Sequence, residues 1–151
     1  MPMIELTLPQ GALNKTAQDA LMERLTFTLL RWEGAPEDSD AAKSVSWGFV
    51  DERPTATLYQ GGRPQPPQPL YRITITLPVG ALDDERKSGL VAEATKHVLE
   101  ADGAGADDAD AAMRVWVIIR EVTDGNWGAG GRIFRLRDIA RFVMGRERAP
   151  A

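Results

Sequence analysis

The segment TLPQGAL at residues 7–13 returns as TLPVGAL at residues 76–82, 69 positions further along the chain. The same offset pairs Leu21 with Leu90, Leu30 with Leu99, Gly34 with Gly103, Trp47 with Trp116 and Glu52 with Glu121. It also pairs Gly61-Gly62-Arg63 with Gly130-Gly131-Arg132, and the path needs no gap. One constant offset across a chain of 151 residues points to duplication and fusion of a single unit. Whatever this chain folds into must therefore be built from two similar halves.

Each half reads as strand, helix, strand. In the first, Ile4, Leu6 and Leu8 alternate with Glu5 and Thr7, the period-two pattern of a strand with one apolar face. Asn14 is placed to cap a helix whose stripe is Leu21, Leu25, Thr28, Leu29 and Trp32, ending at about Glu33 with Gly34 as its stop. An acidic loop over 35–42 leads to a second strand near 44–50. In the second half, Ile73, Ile75 and Leu77 mark the strand, Asp83 the helix cap, and Leu90, Ala94, Val98 and Ala101 the helical stripe. Gly103 ends that helix, and residues 114–122 form the closing strand. Strand–helix–strand crossovers put their strands parallel with right-handed connection. The expected fold is α/β (α+β): a four-stranded mixed sheet with two helices on one face.

The domain plan is one domain over 1–151, with halves of about 1–60 and 71–122. The proline-rich link at 61–70, GGRPQPPQPL, is expected to be extended. After the second half, turns at Asp124-Gly125 and in the Gly-rich 128–131 suggest a short hairpin. A last helix over about 136–144 carries Ile139, Phe142 and Val143 on one side, giving a C-terminal hairpin and helix over 123–145. With helices on one face only, the other face (Thr7, Thr74, Thr76, Trp47, Trp116) needs cover, which self-association would supply.

Composition removes most catalytic kits. There is no cysteine, and His97, beside the second helix's stripe and expected to face solvent, is the only histidine. Disulfides, thiol nucleophiles and zinc–thiolate sites are excluded, as is Ser–His or Cys–His catalysis without His97. No metal or cofactor site is expected: GNWGAGG is Gly-rich, but no Lys-Ser/Thr follows it to make a phosphate cradle. The formal charge of −4, without a basic tract, argues against a nucleic-acid partner. No apolar run approaches a bilayer span and no leader pattern opens the chain, so a cytoplasmic protein away from membranes is expected. Asp83, Asp84 and Glu85 are explained by the positive end of the helix they open.

Two features remain: Pro2, immediately before the first strand, and RVWVIIREVTDGNWGAGGR at 114–132. By sequence rule alone Pro2 is a tolerated strand start. Taken with the doubled β-α-β unit, these features resemble the tautomerase superfamily. Its prototype, 4-oxalocrotonate tautomerase, is a one-unit chain; the cis-3-chloroacrylic acid dehalogenase and macrophage migration inhibitory factor groups carry two units and assemble as trimers. The resemblance implies removal of Met1, Pro2 as catalytic amine, no cofactor, and a homotrimer with sites between subunits. An α-amino group with pKa near 7.7–8.0 can take and return a proton at neutral pH. The repeat counterpart of Pro2 is Tyr71, so each chain carries one such amine.

The resemblance also marks departures. The prototype's substrate-holding arginines fall at Ala12 and Ala81 in the loop, and at Trp47 and Trp116 on the strand. Its pocket phenylalanine falls at Trp127; the dehalogenase group's helix histidine and strand tyrosine fall at Leu29 and Ile118. The expected substrate is a small aromatic or monocarboxylic α-keto acid, converted between enol and keto forms. Pro2 is the catalytic residue, with Trp127, Trp116, Arg132, Arg120 and Arg114 as candidate substrate contacts. Bland roles compete: core or interface for the tryptophans, an ion pair for Arg132, a solvated edge for Arg114 and Arg120. The alternatives are a decarboxylase or hydrolytic dehalogenase on the same scaffold, or a non-catalytic oligomeric binding protein.

Overall fold

The computed structural model describes residues 2–36 and 38–145. Its elements run β1 (Met3–Pro9), α1 (Lys15–Trp32), α2 (Asp40–Ser44), β2 (Trp47–Arg53), a 3-10 turn (Thr55–Thr57), β3 (Tyr59–Gln60) and β4 (Arg63–Pro64). Then come β5 (Tyr71–Pro78), α3 (Asp84–Asp102), α4 (Ala109–Ala112), β6 (Val115–Val122), β7 (Trp127–Ala129), β8 (Arg132–Phe134) and α5 (Leu136–Val143). The main sheet has the order β2-β1-β5-β6. Each half pairs its own strands in parallel, Met3 against Trp47 and Tyr71 against Val115. The halves join antiparallel at the centre, with Ile4 opposite Ile75.

The strand alternation decides which face is core. Ile4, Leu6 and Leu8 of β1 and Tyr71, Ile73, Ile75 and Leu77 of β5 are all nearly fully buried beneath the helices. Leu21, Leu25 and Leu29 of α1 and Leu90, Ala94 and Val98 of α3 descend onto them. Each large side chain moved from water here contributes about 1.5–3 kcal/mol. The caps are those the sequence specifies: Asn14 accepts from the Ala17 N–H and Asp83 from the Arg86 N–H. Because β1 and β5 are antiparallel, α1 and α3 are too. Gly89 near the start of α3 lets the Trp32 ring lie flat against it, where a Cβ would sit 2.2 Å from a ring carbon. Farther along, Arg31 meets Glu93 and Arg24 meets Glu100.

Three expectations need correction. The second strand of the first half starts at Trp47 rather than near residue 44, because Ser39 caps the short α2 and takes residues 40–44. The first part of the 61–70 link is not extended: Gly61 and Gly62, both at positive φ, turn a small β3–β4 ladder. This is the counterpart of β7–β8, which turns on Gly130 and Gly131. His97 does not face solvent; it is tucked against α1, where its Nε2 lies 2.9 Å from the Thr28 hydroxyl and its Nδ1 2.7 Å from Arg24. Burial, aided by the Arg24 charge, depresses its pKa, keeping the ring neutral.

The opposite sheet face carries Trp47, Phe49, Trp116 and Ile118, with Trp47 and Trp116 64% and 65% exposed. These are the repeat-related positions at the two sheet edges. Among the described residues, no helix is long and apolar enough to cross a membrane.

Candidate active site

Pro2 lies at the entrance to β1 and is buried, its carbonyl accepting the Trp47 N–H at 3.1 Å. That bond fixes the residue against the start of β2. The antiparallel pairing brings the same end of β1 beside the exit of β5, since Met3 is opposite Thr76. A cavity of about 300 Å³ opens there, at the junction of the two halves. The first half supplies Pro2, the end of α1 (Leu30, Glu33) and Ala42 of α2; the second supplies Gly80 and Ala81 of the β5–α3 turn. The roof is α5, through Leu136, Ile139, Ala140 and Val143.

Helix α5 is held over the cavity at both ends. At its start, Asp124 accepts from the Leu136 N–H at 2.9 Å and from the Arg135 guanidinium at 3.0 Å. At its finish, the Ser39 hydroxyl donates to the Val143 carbonyl at 3.1 Å, while also capping α2. Ile139 is buried beneath it. A lid from the far end of the chain thus covers its beginning.

Among the described residues, Glu33 is the one titratable side chain in the cavity wall. It is partly buried and sits at the end of α1, where Gly34 (φ +75°) reverses the chain and the Ala35 N–H returns to the Leu30 carbonyl at 2.9 Å. That is the closing geometry of a left-handed helix cap. Burial pushes the Glu33 carboxyl up to about 7, against the opposing pull of the chain's amino-terminal charge. At neutral pH it is thus divided between acid and carboxylate.

The second half treats the equivalent place differently. Tyr71, counterpart of Pro2, is buried and donates its hydroxyl to Asp102 at 2.5 Å. Asp102, counterpart of Glu33, also accepts from Arg114 at 2.7 Å, and Arg114 donates in turn to the Pro69 carbonyl at 2.8 Å. Burial, reinforced by the bond to Asp102, drives the Tyr71 phenol far above its ordinary value. At this equivalent place the Tyr71 ring, Asp102 and Arg114 are bonded to one another.

None of the other candidate residues lines the Pro2 cavity within one chain. Arg114 is committed to Asp102, and both Arg114 and Trp116 border a depression of about 570 Å³ outside Tyr71. Trp127 is half-buried in β7 opposite Phe134. Arg132 is exposed, its guanidinium 5.9 Å from the Phe134 ring, and Arg120 is exposed on the strand face it shares with Trp116. Ala81, where the resemblance expects an arginine, does lie in the cavity wall, and its methyl group leaves that wall apolar. Glu33 was missed by sequence reasoning, although the 69-residue offset already pairs it with Asp102. Among the described residues, no group of acidic and histidine side chains is placed to hold a metal ion.

Residues 72–137 match the family model described as Tautomerase enzyme. No curated protein matches the sequence significantly. Among solved structures, the chain is similar to the R7 fused 4-OT asymmetric trimer at 22% identity and a TM-score of 0.71, over 92% of this chain and 99% of that one. It is similar to N1, a member of the cis-3-chloroacrylic acid dehalogenase family, at 17% identity and 0.68, over 87% and 82%. It is also similar to macrophage migration inhibitory factor of Toxoplasma gondii, at 15% identity and 0.65, over 87% and 99%. At these identities the structural matches establish the fold.

Proposed function

We propose that this protein is a cofactor-independent tautomerase with Pro2 as its reacting amine, a reading supported by the match of residues 72–137 to the Tautomerase family model and by the tautomerase fold of the chain. The observation that supports this most is the burial of Pro2 in the wall of a roofed, largely apolar cavity. Removal of Met1 turns the Pro2 nitrogen into a secondary amine there. An α-amino group begins near pKa ~7.7–8.0, and an apolar surround favours its neutral form. Such an amine takes a proton from one atom of an enol or ketone and returns it to another.

The substrate we propose is a small aromatic α-keto acid or its enol, with the ring among Leu30, Leu136 and Ile139. Among the described residues no cation lines the cavity, and in this reading the substrate carboxylate meets an arginine supplied across a subunit boundary. The exposed apolar positions Trp47, Phe49, Trp116 and Ile118 suit burial in a homotrimer, and the fused 4-OT relative is a trimer. Light scattering should give about 50 kDa, three times the 16.5 kDa chain. A 16.5 kDa particle would rule out a site shared between subunits.

The function is tested by following ketonisation of phenylenolpyruvate. The wild type should exceed buffer, and Pro2→Ala should lose about 10²–10⁴-fold, the range of a general acid–base contribution. Equal rates for the two proteins, or Met1 retained on the intact mass, would refute the amine mechanism.

A further inference from the structure

We propose that Glu33 is a second proton carrier of the Pro2 cavity, exchanging a proton with the substrate oxygen while Pro2 serves the carbon. The proposal rests on the reading of Pro2 as the reacting amine, and three observations about position carry it. Glu33 shares the cavity wall with Pro2, and the remaining described side chains lining it are apolar. The second half shows that these two positions can reach one another: Tyr71 and Asp102, their repeat counterparts, are hydrogen-bonded at 2.5 Å. In the first half the ring is replaced by a short pyrrolidine and the Asp by a Glu one methylene longer. The gap between them is the cavity.

The third observation is where the carboxyl sits. A negative charge at a helix C-terminus is opposed by the helix dipole. The second half offsets this with Arg114; the first has Val45 at the matching position, 69 residues earlier. An acid kept at an unfavourable helix end, in an apolar wall and without the arginine, is the arrangement that holds a proton near neutrality. The raised Glu33 pKa of about 7 agrees with it.

Several charges on neighbouring elements have partners of their own. Arg31 of α1 binds Glu93 at 2.5 Å, and Lys43 of α2 lies over the Phe27 ring at 5.7 Å. Arg137 of α5 lies 3.7 Å from Asp138. Asp38 borders the groove on the far side of α1, Asp40 is exposed on α2, and Arg141 is exposed on α5. The β5–α3 turn contributes no charge to the cavity, and the chain's amino terminus supplies the opposing positive charge.

The chemistry balances without a further reactant. In ketonisation, the Glu33 carboxylate takes the enol O–H proton, the C=C pair captures a proton from the Pro2 ammonium, and the C=O bond forms. Glu33 is then the acid and Pro2 the free amine. Transfer of the proton from Glu33 to Pro2, directly or through water, resets both. The reverse reaction runs the same steps backward.

Two measurements on the full-length protein decide the matter. The first is the rate of covalent modification of the Pro2 amine by 2-oxo-3-pentynoate against pH, read by mass spectrometry of the N-terminal peptide, in wild type and Glu33→Gln. A carboxylate beside the amine holds its proton on, so Glu33→Gln should move the midpoint of the rate profile to lower pH. The second is the carboxyl infrared band, which should titrate near pH 7 in wild type and vanish in Glu33→Gln. With phenylenolpyruvate, Glu33→Gln should lower kcat by at least tenfold with little change in KM, and Glu33→Asp should recover part of it. An unshifted modification profile, or no band titrating near neutrality, overturns the proposal while leaving Pro2 as the amine. Modification absent from Pro2 overturns the reading of Pro2 instead, and the infrared band alone then decides whether Glu33 holds its proton at neutrality; a carboxyl ionised well below that range overturns the proposal there too.

Discussion

The two halves share one backbone plan but part ways where the first strand of each starts beside the end of its helix. In the second, Tyr71, Asp102 and Arg114 close on one another, and the ion pair leaves only 15% and 12% of the Arg114 and Asp102 side chains exposed. In the first, the matching residues are Pro2, Glu33 and Val45, and Pro2 and Glu33 share the wall of a roofed cavity. The carboxyl at the end of the helix is common to both. What differs is whether it is satisfied by the protein or left to face a cavity. Duplication supplied two copies of one junction; one became a fastening and the other stayed open.

The contrast can be broken by comparing substitutions at repeat-related positions. The largest effect is expected at Asp102. Asp102→Ala strips the acceptor from both the Tyr71 hydroxyl and Arg114, and removing one partner of a buried pair costs about 3–5 kcal/mol. Urea denaturation should show it as a fall in midpoint without a change of slope. A loss below 1 kcal/mol would mean that the second half is not fastened there.

At Glu33 the sign is opposite and depends on pH. The folded-state pKa, about 7, lies above the unfolded value of 4.5, so the unfolded chain gives up its proton first. Glu33 therefore leaves stability intact below about pH 4.5 and lowers it progressively as pH rises to about 7, where the loss levels off. The loss at alkaline pH amounts to at most about 3 kcal/mol. Denaturation of wild type and Glu33→Gln between pH 4 and 9 should give curves that meet in acid, diverge between about pH 4.5 and 7 and stay apart above it, with the variant the more stable. Curves that stay parallel would place Glu33 in water.

The smallest expected effect concerns the roof. Ile139→Ala should cost about 2 kcal/mol, the low end for such truncations because the residue borders a cavity that already exists. Its clearer signature is faster hydrogen exchange confined to α5, with α1 and α3 unchanged. Uniform acceleration across the chain would show that α5 is part of the common core rather than a separate cover.

Much of this architecture was written in the sequence. The offset of 69 residues, the alternation in β1 and β5 and the caps at Asn14 and Asp83 required only local pattern, and local pattern was sufficient. The site was less legible, because its parts meet only after packing. Arg114 looked like a strand-face residue that could reach a substrate, yet its partner Asp102 lies at the end of α3, on the far side of α4 in the sequence. His97 appeared to flank its helix stripe, and only the antiparallel approach of α1 encloses it. The amphipathic pattern of α5 announced a buried face without saying which surface would receive it. Glu33 was hidden because a lone acid at a helix end is ordinarily solvated, and its environment is made by α5 and the β5–α3 turn together.

The covering of Pro2 by α5 joins parts of the sequence that lie far apart: the residue that leads into β1 and a helix that follows all the strands are walls of the same chamber. Contacts of such long sequence separation carry the largest loop-closure cost and are slow to form. The chamber is therefore complete only when α5 has docked, after the sheet has formed.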